Sequence, residues 1–248
     1  MNLKEFFSKY PEVAIAFSGG VDSAYLLSEA KKYAKRVGAF YVKSEFQPEF
    51  EEKDALSLAE KLEVKMEIIN LSVLQTPMVA ENPANRCYYC KKAIFTKIAE
   101  RAKEEGFFVL LDGTNASDDM ADRPGMKALQ ELWVHSPLRE CGLRKEEIRR
   151  LSKEAGLFTW DKPAYACLAT RIPTGELITK EKLEATQAAE DFLFSLGFVD
   201  FRVRRQQEMA KIQIKEEQWP LLMKHRKEIL EQLKLHYAAV VLDLEVRG

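Results

Sequence analysis

The chain has 248 residues, 46% hydrophobic and 31% charged, with a formal net charge of −1. That leaves room for one domain of about 150 residues and a smaller one beside it, and the near-neutral balance argues against a nucleic-acid partner or an anionic membrane surface. No apolar run approaches a membrane span, and the start Met1-Asn2-Leu3-Lys4-Glu5 lacks the basic stretch and apolar run of a secretory leader, so a cytoplasmic protein is expected.

Residues 6–10 predict a short helix ended by Pro11. The apolar run Val13-Ala14-Ile15-Ala16-Phe17 is followed by Ser18-Gly19-Gly20-Val21-Asp22-Ser23 and then by an amphipathic stretch with Ala24, Leu26, Leu27 and Ala30. This pattern reads as buried strand, tight turn and helix start. Backbone N–H groups of the turn and first helical turn point outward unpaired, and the glycines admit a ligand close to the main chain, which makes an anion site. The stretch is neither a Walker loop nor a dinucleotide fingerprint, whose glycine spacings differ; a plain turn with an Asp/Ser cap is the alternative.

Residues 37–42 give a second buried strand, 49–62 a charged amphipathic helix and 64–71 a third strand. The order βαβαβ implies an α/β fold, a doubly wound parallel sheet with right-handed crossovers. From 76 to 86, two prolines and two asparagines break the periodicity and suggest a loop over the carboxyl ends of the strands, where such sheets bind ligands. Cys87-Tyr88-Tyr89-Cys90 runs into a helix over about 91–105. Residues 107–111 form a fourth strand, which delivers Asp112-Gly113-Thr114-Asn115 at its carboxyl end, with Asp118, Asp119 and Asp122 beyond. Carboxylates at that point suit Mg²⁺ beside a nucleotide; an ordinary Asp/Asn/Gly turn is the alternative.

A short fifth strand is expected at 134–138 and a helix at 145–155, closed by Gly156. The irregular stretch 157–175, which contains Cys167, reads as a domain junction. Beyond it come a helix at 180–196, strands at 201–205 and 209–214, a helix at 217–235 and a strand at 238–246. The expected organisation is a nucleotide domain at 1–160, a junction at 161–175 and a smaller α+β domain at 176–248.

Four cysteines in a chain expected inside the cell point to metal binding, catalysis or burial rather than disulfides. Cys87 and Cys90 are spaced to chelate one metal ion or to form a redox pair. Zinc would want four ligands, yet no second pair at that spacing exists, and Cys141, Cys167, His135, His225 and His236 are scattered. Three thiolates on a cubane iron–sulfur cluster would leave one iron open to substrate or sulfide. Cys141 reads as a small buried hydrophobe, and the histidines form no ligand spacing. Arg202 and Arg204 alternate with Phe201 and Val203, so both guanidiniums share one strand face. That face suits a phosphate, or else it is a solvated charged face.

The hexapeptide at 18–23 resembles the pyrophosphatase loop, Ser-Gly-Gly-x-Asp-Ser, of the ATP pyrophosphatase superfamily, where the loop holds the β- and γ-phosphates of ATP. Further segments carry the resemblance: Asn82-Pro83-Ala84-Asn85-Arg86-Cys87-Tyr88-Tyr89-Cys90-Lys91, Asp112-Gly113-Thr114-Asn115, Arg123-Pro124-Gly125, Cys167-Leu168-Ala169-Thr170-Arg171-Ile172-Pro173 and Phe201-Arg202-Val203-Arg204. With them the chain resembles the ATP-dependent sulfur-insertion enzymes that mature the nickel-pincer nucleotide cofactor of lactate racemase.

The resemblance implies a two-step reaction. ATP adenylates a carboxylate of a pyridinium-dicarboxylate mononucleotide with loss of pyrophosphate, and a sulfur nucleophile displaces AMP to leave a thiocarboxylate. It implies ATP and Mg²⁺ as cofactors, a small-molecule nucleotide substrate and assembly into a symmetric homo-oligomer. By resemblance, Ser18, Gly19, Gly20, Val21, Asp22, Ser23, Asp112, Gly113, Thr114 and Arg123 hold the cofactor, and Arg171, Arg202, Arg204 and Glu190 the substrate. Glu190 lies on a charged helix, a setting that usually leaves a carboxylate exposed.

Two variants of the sulfur step exist in the family. In one, Cys167 attacks the adenylate and Cβ–S cleavage leaves dehydroalanine. In the other, Cys87, Cys90 and Cys167 are catalytic and metal-ligating, holding a [4Fe–4S] cluster whose open iron carries a sulfide. The presence of all three favours the cluster. A tRNA thiolase, an amide synthetase and a non-catalytic nucleotide or metal sensor are the other readings.

Overall fold

The computed structural model describes residues 1–118 and 124–245. The chain divides into two compact units, Met1–Val79 with Asn85–Lys162, and Ala80–Ala84 with Pro163–Gly248.

The first unit opens on α1 (Leu3–Lys9), where Asn2 and Glu5 cap one another's N–H groups in a capping box. Four parallel strands follow through the unit: β1 (Glu12–Ala16), β2 (Arg36–Lys43), β3 (Met66–Asn70) and the two-residue β4 (Leu110–Leu111), in the order β3-β2-β1-β4. This is the α/β sheet expected from the sequence. Between them run α2 (Val21–Tyr33), α3 (Glu49–Lys61), α4 (Pro77–Ala80) and α5 (Arg86–Glu104), and after β4 come α6 (Pro124–Glu131), α7 (Pro137–Glu140) and α8 (Lys145–Glu154).

Alternation along the strands feeds two cores. Val13, Ile15, Ala39 and Tyr41 pack with α1, α2 and α3, while Ala14, Phe40 and Val42 pack with Phe95, Ile98, Met126 and Leu129 of α5 and α6. Strand order reverses at β1, with β2 and β3 to one side and β4 to the other, so the crevice at the carboxyl ends of β1 and β4 is the switch point of the sheet.

Several elements differ from expectation, three of them beside the candidate site residues. The fourth strand is cut to Leu110–Leu111. The fifth is a single bridge, His135 beside Leu111, because Pro137 and Ser136 start α7 at once. The helix after the loop begins at Arg86, not near 91, so Cys87 and Cys90 lie within its first two turns.

The second unit has its own core, from α9 (Lys180–Ser195), β5 (Arg202–Gln206), β6 (Met209–Gln213), α10 (Trp219–Leu233) and β7 (Ala239–Leu242). β5 and β6 are antiparallel and β6 and β7 parallel. The strap Ala80–Ala84 belongs here: Asn82, buried and at φ 56°, donates from Nδ2 to Pro173 O at 2.7 Å. Its carbonyl accepts from Gly175 N–H and that of Ala80 from Ile178 N–H, both at 2.8 Å. No helix among the described residues is long and apolar enough to cross a membrane.

Ile15, central in β1 and fully buried, sets a test of this core. Ile15→Ala is expected to lower unfolding free energy by about 2–5 kcal/mol, read as a lower denaturant midpoint with an unchanged slope.

Candidate functional site

β1 ends at Ala16 and the chain turns through residues 18–23 into α2. Gly19 has φ +70°, and a Cβ there would stand 3.1 Å from the Ala55 backbone nitrogen and 3.2 Å from its Cα. Conformation and space both demand glycine. Gly20 caps α2 without a side-chain hydrogen bond, so no side chain closes the first N–H groups of the helix. Ser23 Oγ braces the turn, donating to Gly20 O at 3.2 Å and accepting from Ser18 N–H at 3.3 Å. An anion is what such a turn accepts.

Asp22, on the first turn of α2, accepts from Lys145 Nζ at 2.5 Å through Oδ2. Its Oδ1 is buried and has no hydrogen-bond partner among the described residues. Burial raises the Asp22 carboxyl above its usual range, against the opposing pull of Lys145.

The loop after β4 lies against this turn, since a Cβ on Gly113 would meet Ser23 N at 2.9 Å. Asp112 is buried there, with Oδ1 accepting from Ser136 Oγ at 2.6 Å and Oδ2 from Thr114 Oγ1. Both Asp112 oxygens thus carry hydroxyl bonds and shape the loop. Asp22 Oδ1, by contrast, carries no such bond among the described residues. Arg123, Asp119 and Asp122 lie outside the described residues.

In the second unit, Cys167 precedes a single helical turn, Leu168–Arg171. Arg171, 1% exposed, pairs both ways with Glu190, from Nε to Oε1 at 2.8 Å and from Nη2 to Oε2 at 3.0 Å. Its Nη1 donates to Ala166 O at 2.8 Å and toward Cys167 O at 3.4 Å. Glu190 is itself 1% exposed, where a charged helix suggested solvent, and also accepts from Val203 N–H at 2.9 Å and from the Tyr165 hydroxyl.

Arg202 donates to Ala164 O and Arg204 to Thr170 O, each at 2.7 Å. Neither arginine is on a solvated face, because Arg202 is buried and Arg204 half-buried. The Tyr165 ring lies 4.6 Å from the Arg171 guanidinium and 5.0 Å from that of Arg202. Burial, then the neighbouring Glu190 charge, pushes the Tyr165 hydroxyl up, so it remains a donor. Three guanidiniums therefore grip carbonyls on both sides of Cys167.

Cys87 is exposed, Cys90 and Cys167 are half-buried, and none is in a disulfide. Arg86 Nη2 stands 3.9 Å from Cys87 Sγ. Cys87 and Cys90 belong to the first unit and Cys167 to the second. Among the described residues, no group of three or more His, Cys, Asp or Glu is assembled to hold a metal ion. Cys141 sits at the edge of the first core, where burial raises its thiol.

Sequence reasoning missed Lys145, Ser136 and Tyr165. Lys145 and Ser136 reach their carboxylates across 123 and 24 residues, and no spacing announces that. Tyr165 stands two residues before Cys167, but its partner Glu190 is known from the fold alone.

The profile of the family described as queuosine biosynthesis protein QueC matches residues 12–82. The pyridinium-3,5-bisthiocarboxylic acid mononucleotide synthase of Lactiplantibacillus plantarum is 33% identical over 235 residues, 94% of this chain and 85% of that protein. A Synechocystis protein of unassigned function is 37% identical over 219 residues, 88% of this chain and 81% of its own. The tRNA-specific 2-thiouridylase MnmA of Thermotoga petrophila is 25% identical over 188 residues, 59% of this chain and 52% of that protein.

Glu190→Gln would leave the Arg171 charge buried without its counterion, and a cost of about 3–5 kcal/mol is expected. Adding Arg171→Met to it should restore part of the loss; thermal unfolding of the single and double variants checks both. Gly113→Ala forces a Cβ against the Ser23 backbone and is expected to cost about 1–3 kcal/mol, seen in the same assay.

Proposed function

Because the chain belongs to the family of pyridinium-3,5-bisthiocarboxylic acid mononucleotide synthases, we propose that it puts sulfur in place of a carboxylate oxygen on a pyridinium-dicarboxylate mononucleotide, using ATP, in nickel-pincer cofactor synthesis. It is an ATP-dependent sulfurtransferase of the pyrophosphatase-loop superfamily. The observation that carries the reading is the uncapped helix start at the sheet's switch point, braced by Ser18 and Ser23 and backed by the loop of Gly113.

In this reading the β- and γ-phosphates of ATP lie on the N–H groups of the 18–23 turn and the first turn of α2. A substrate carboxylate oxygen attacks the α-phosphorus, the bond to the β-phosphate oxygen breaks and pyrophosphate leaves. A sulfur nucleophile then attacks the acyl carbon of the adenylate, and AMP departs with the electrons of the C–O bond. Mg²⁺ would supply charge neutralisation on the phosphates, and the residue that fits it is Asp22, whose Oδ1 is buried without a partner among the described residues. Arg171, Arg202 and Arg204, read from the sequence as substrate ligands, hold the Cys167 loop, and substrate binding beside that loop is part of the same reading. Assembly into a symmetric homo-oligomer is part of the same reading, and light scattering measures it.

For the sulfur source, three thiols outside any disulfide fit a [4Fe–4S] cluster with one iron left open, with Cys87, Cys90 and Cys167 as its ligands. A second reading needs one thiol alone, and the loop held by Arg171, Arg202 and Arg204 presents it: Cys167 is itself the donor. Its thiolate attacks the adenylate to form a thioester. Loss of the Cα proton and cleavage of Cβ–S then release the thiocarboxylate and leave dehydroalanine.

Intact mass before and after turnover separates these. An unchanged chain making product repeatedly, with iron–sulfur absorbance that Cys87→Ala abolishes, is the expected result. A chain lighter by one hydrogen sulfide after a single turnover supports the second reading. Absence of substrate-dependent pyrophosphate release would overturn both, and thiolated nucleosides formed from bulk tRNA would point to a tRNA thiolase.

A further inference from the structure

The fold brings one more cation to the 18–23 turn. Lys145 is the first residue of α8, and its backbone N–H donates to Ser117 Oγ at 3.0 Å. Beside it, Ala116 N–H donates to Leu143 O at 2.8 Å, and Arg139 Nη1 to Asp118 O at 2.7 Å. The start of α8 is thereby fastened to the loop after β4, and that loop packs through Gly113 on Ser23. From this anchorage the Lys145 ammonium reaches Asp22 with a third of its side chain, 33%, exposed. Neighbouring cations are engaged elsewhere. Arg149 donates to the carbonyls of Trp160 and Lys162 at 2.6 and 2.9 Å, and Lys162 Nζ pairs with Asp54 at 2.6 Å.

We propose that Lys145 is a phosphate-binding residue of the nucleotide site, held ready by Asp22 and contacting the β- or γ-phosphate when ATP is bound. This rests on reading the 18–23 turn as the ATP loop. An ammonium has three N–H donors; Asp22 Oδ2 takes one, which leaves two for phosphate oxygens. Phosphates arriving at the start of α2 meet the Asp22 carboxylate there, a like charge that repels them unless a cation stands between. Lys145 is that cation, supplied by the fold before the ligand arrives, and Asp22 Oδ1 on the other side is left for a metal ion.

The test compares ATP with AMP, which lacks the phosphates in question. Calorimetric titration is made on the wild-type chain, Lys145→Met and Lys145→Arg. Lys145→Met is expected to lose about tenfold or more in ATP affinity, the scale of one charged hydrogen bond, with AMP affinity unchanged, while Lys145→Arg keeps most of the ATP affinity. Equal losses for ATP and AMP, or no loss, would overturn the proposal. Where Lys145→Met does not fold, amine labelling of the wild-type chain decides: pyrophosphate should protect Lys145 and AMP should not, and absence of protection by pyrophosphate overturns it. A wild-type chain that binds neither nucleotide overturns the ATP reading itself, and this proposal with it.

Discussion

A guanidinium at 1% exposure cannot stand alone, and Arg171 does not. Taking either charge of the Arg171–Glu190 pair out of water costs several kcal/mol, which their attraction offsets where the remaining donors and acceptors are satisfied. Here they are satisfied by the Cys167 loop itself. That loop has little regular secondary structure, so its carbonyls need donors from elsewhere, and Arg171, Arg202 and Arg204 provide them. The ion pair and the loop depend on each other. Tyr165 closes the arrangement, with its hydroxyl on Glu190 and its ring beside two guanidiniums.

The two units use opposite means to fix a reactive feature. In the first, backbone does the positioning: Gly19 lets the chain turn against Ala55, Gly113 lets a second loop come down on Ser23, and α2 starts with no side chain capping its first N–H groups. Side chains brace it from behind. In the second unit, guanidiniums hold the carbonyls of Ala164, Ala166 and Thr170 in a stretch with little regular structure. A site built from N–H groups suits phosphates of any nucleotide, whereas the loop held by arginines presents a single thiol, that of Cys167.

That contrast explains what could be read from the sequence. Gly19 and Gly20 behind an apolar run, with Asp22 and Ser23 after them, mark strand, turn and helix because glycine conformation is a local property. The βαβαβ order was legible for the same reason, since apolar runs of strand length alternate with amphipathic stretches. The burial of Glu190 was not legible, because a carboxylate on a charged helix looks exposed until the fold sets Arg171 and the Val203 N–H against it. Lys145 was invisible because its partner lies 123 residues away. The fourth strand shrank to Leu110–Leu111 because pairing with its neighbours, not apolar character, sets strand length.

The strap at Ala80–Ala84 concerns how the chain is made rather than how it works. Asn82 leaves the ribosome 90 residues ahead of Ile172, whose carbonyl it binds together with that of Pro173. Until residues 172–178 have followed it out, the strap lacks these partners, and the glycine-like φ of Asn82 forms without them. Neither compact unit is therefore a contiguous stretch of gene. A fragment starting at Pro163 would carry the thiol loop and the second core but lack five residues that complete it. Such a unit does not lend itself to shuffling by end-to-end fusion, because moving it means inserting its strap into the middle of another domain.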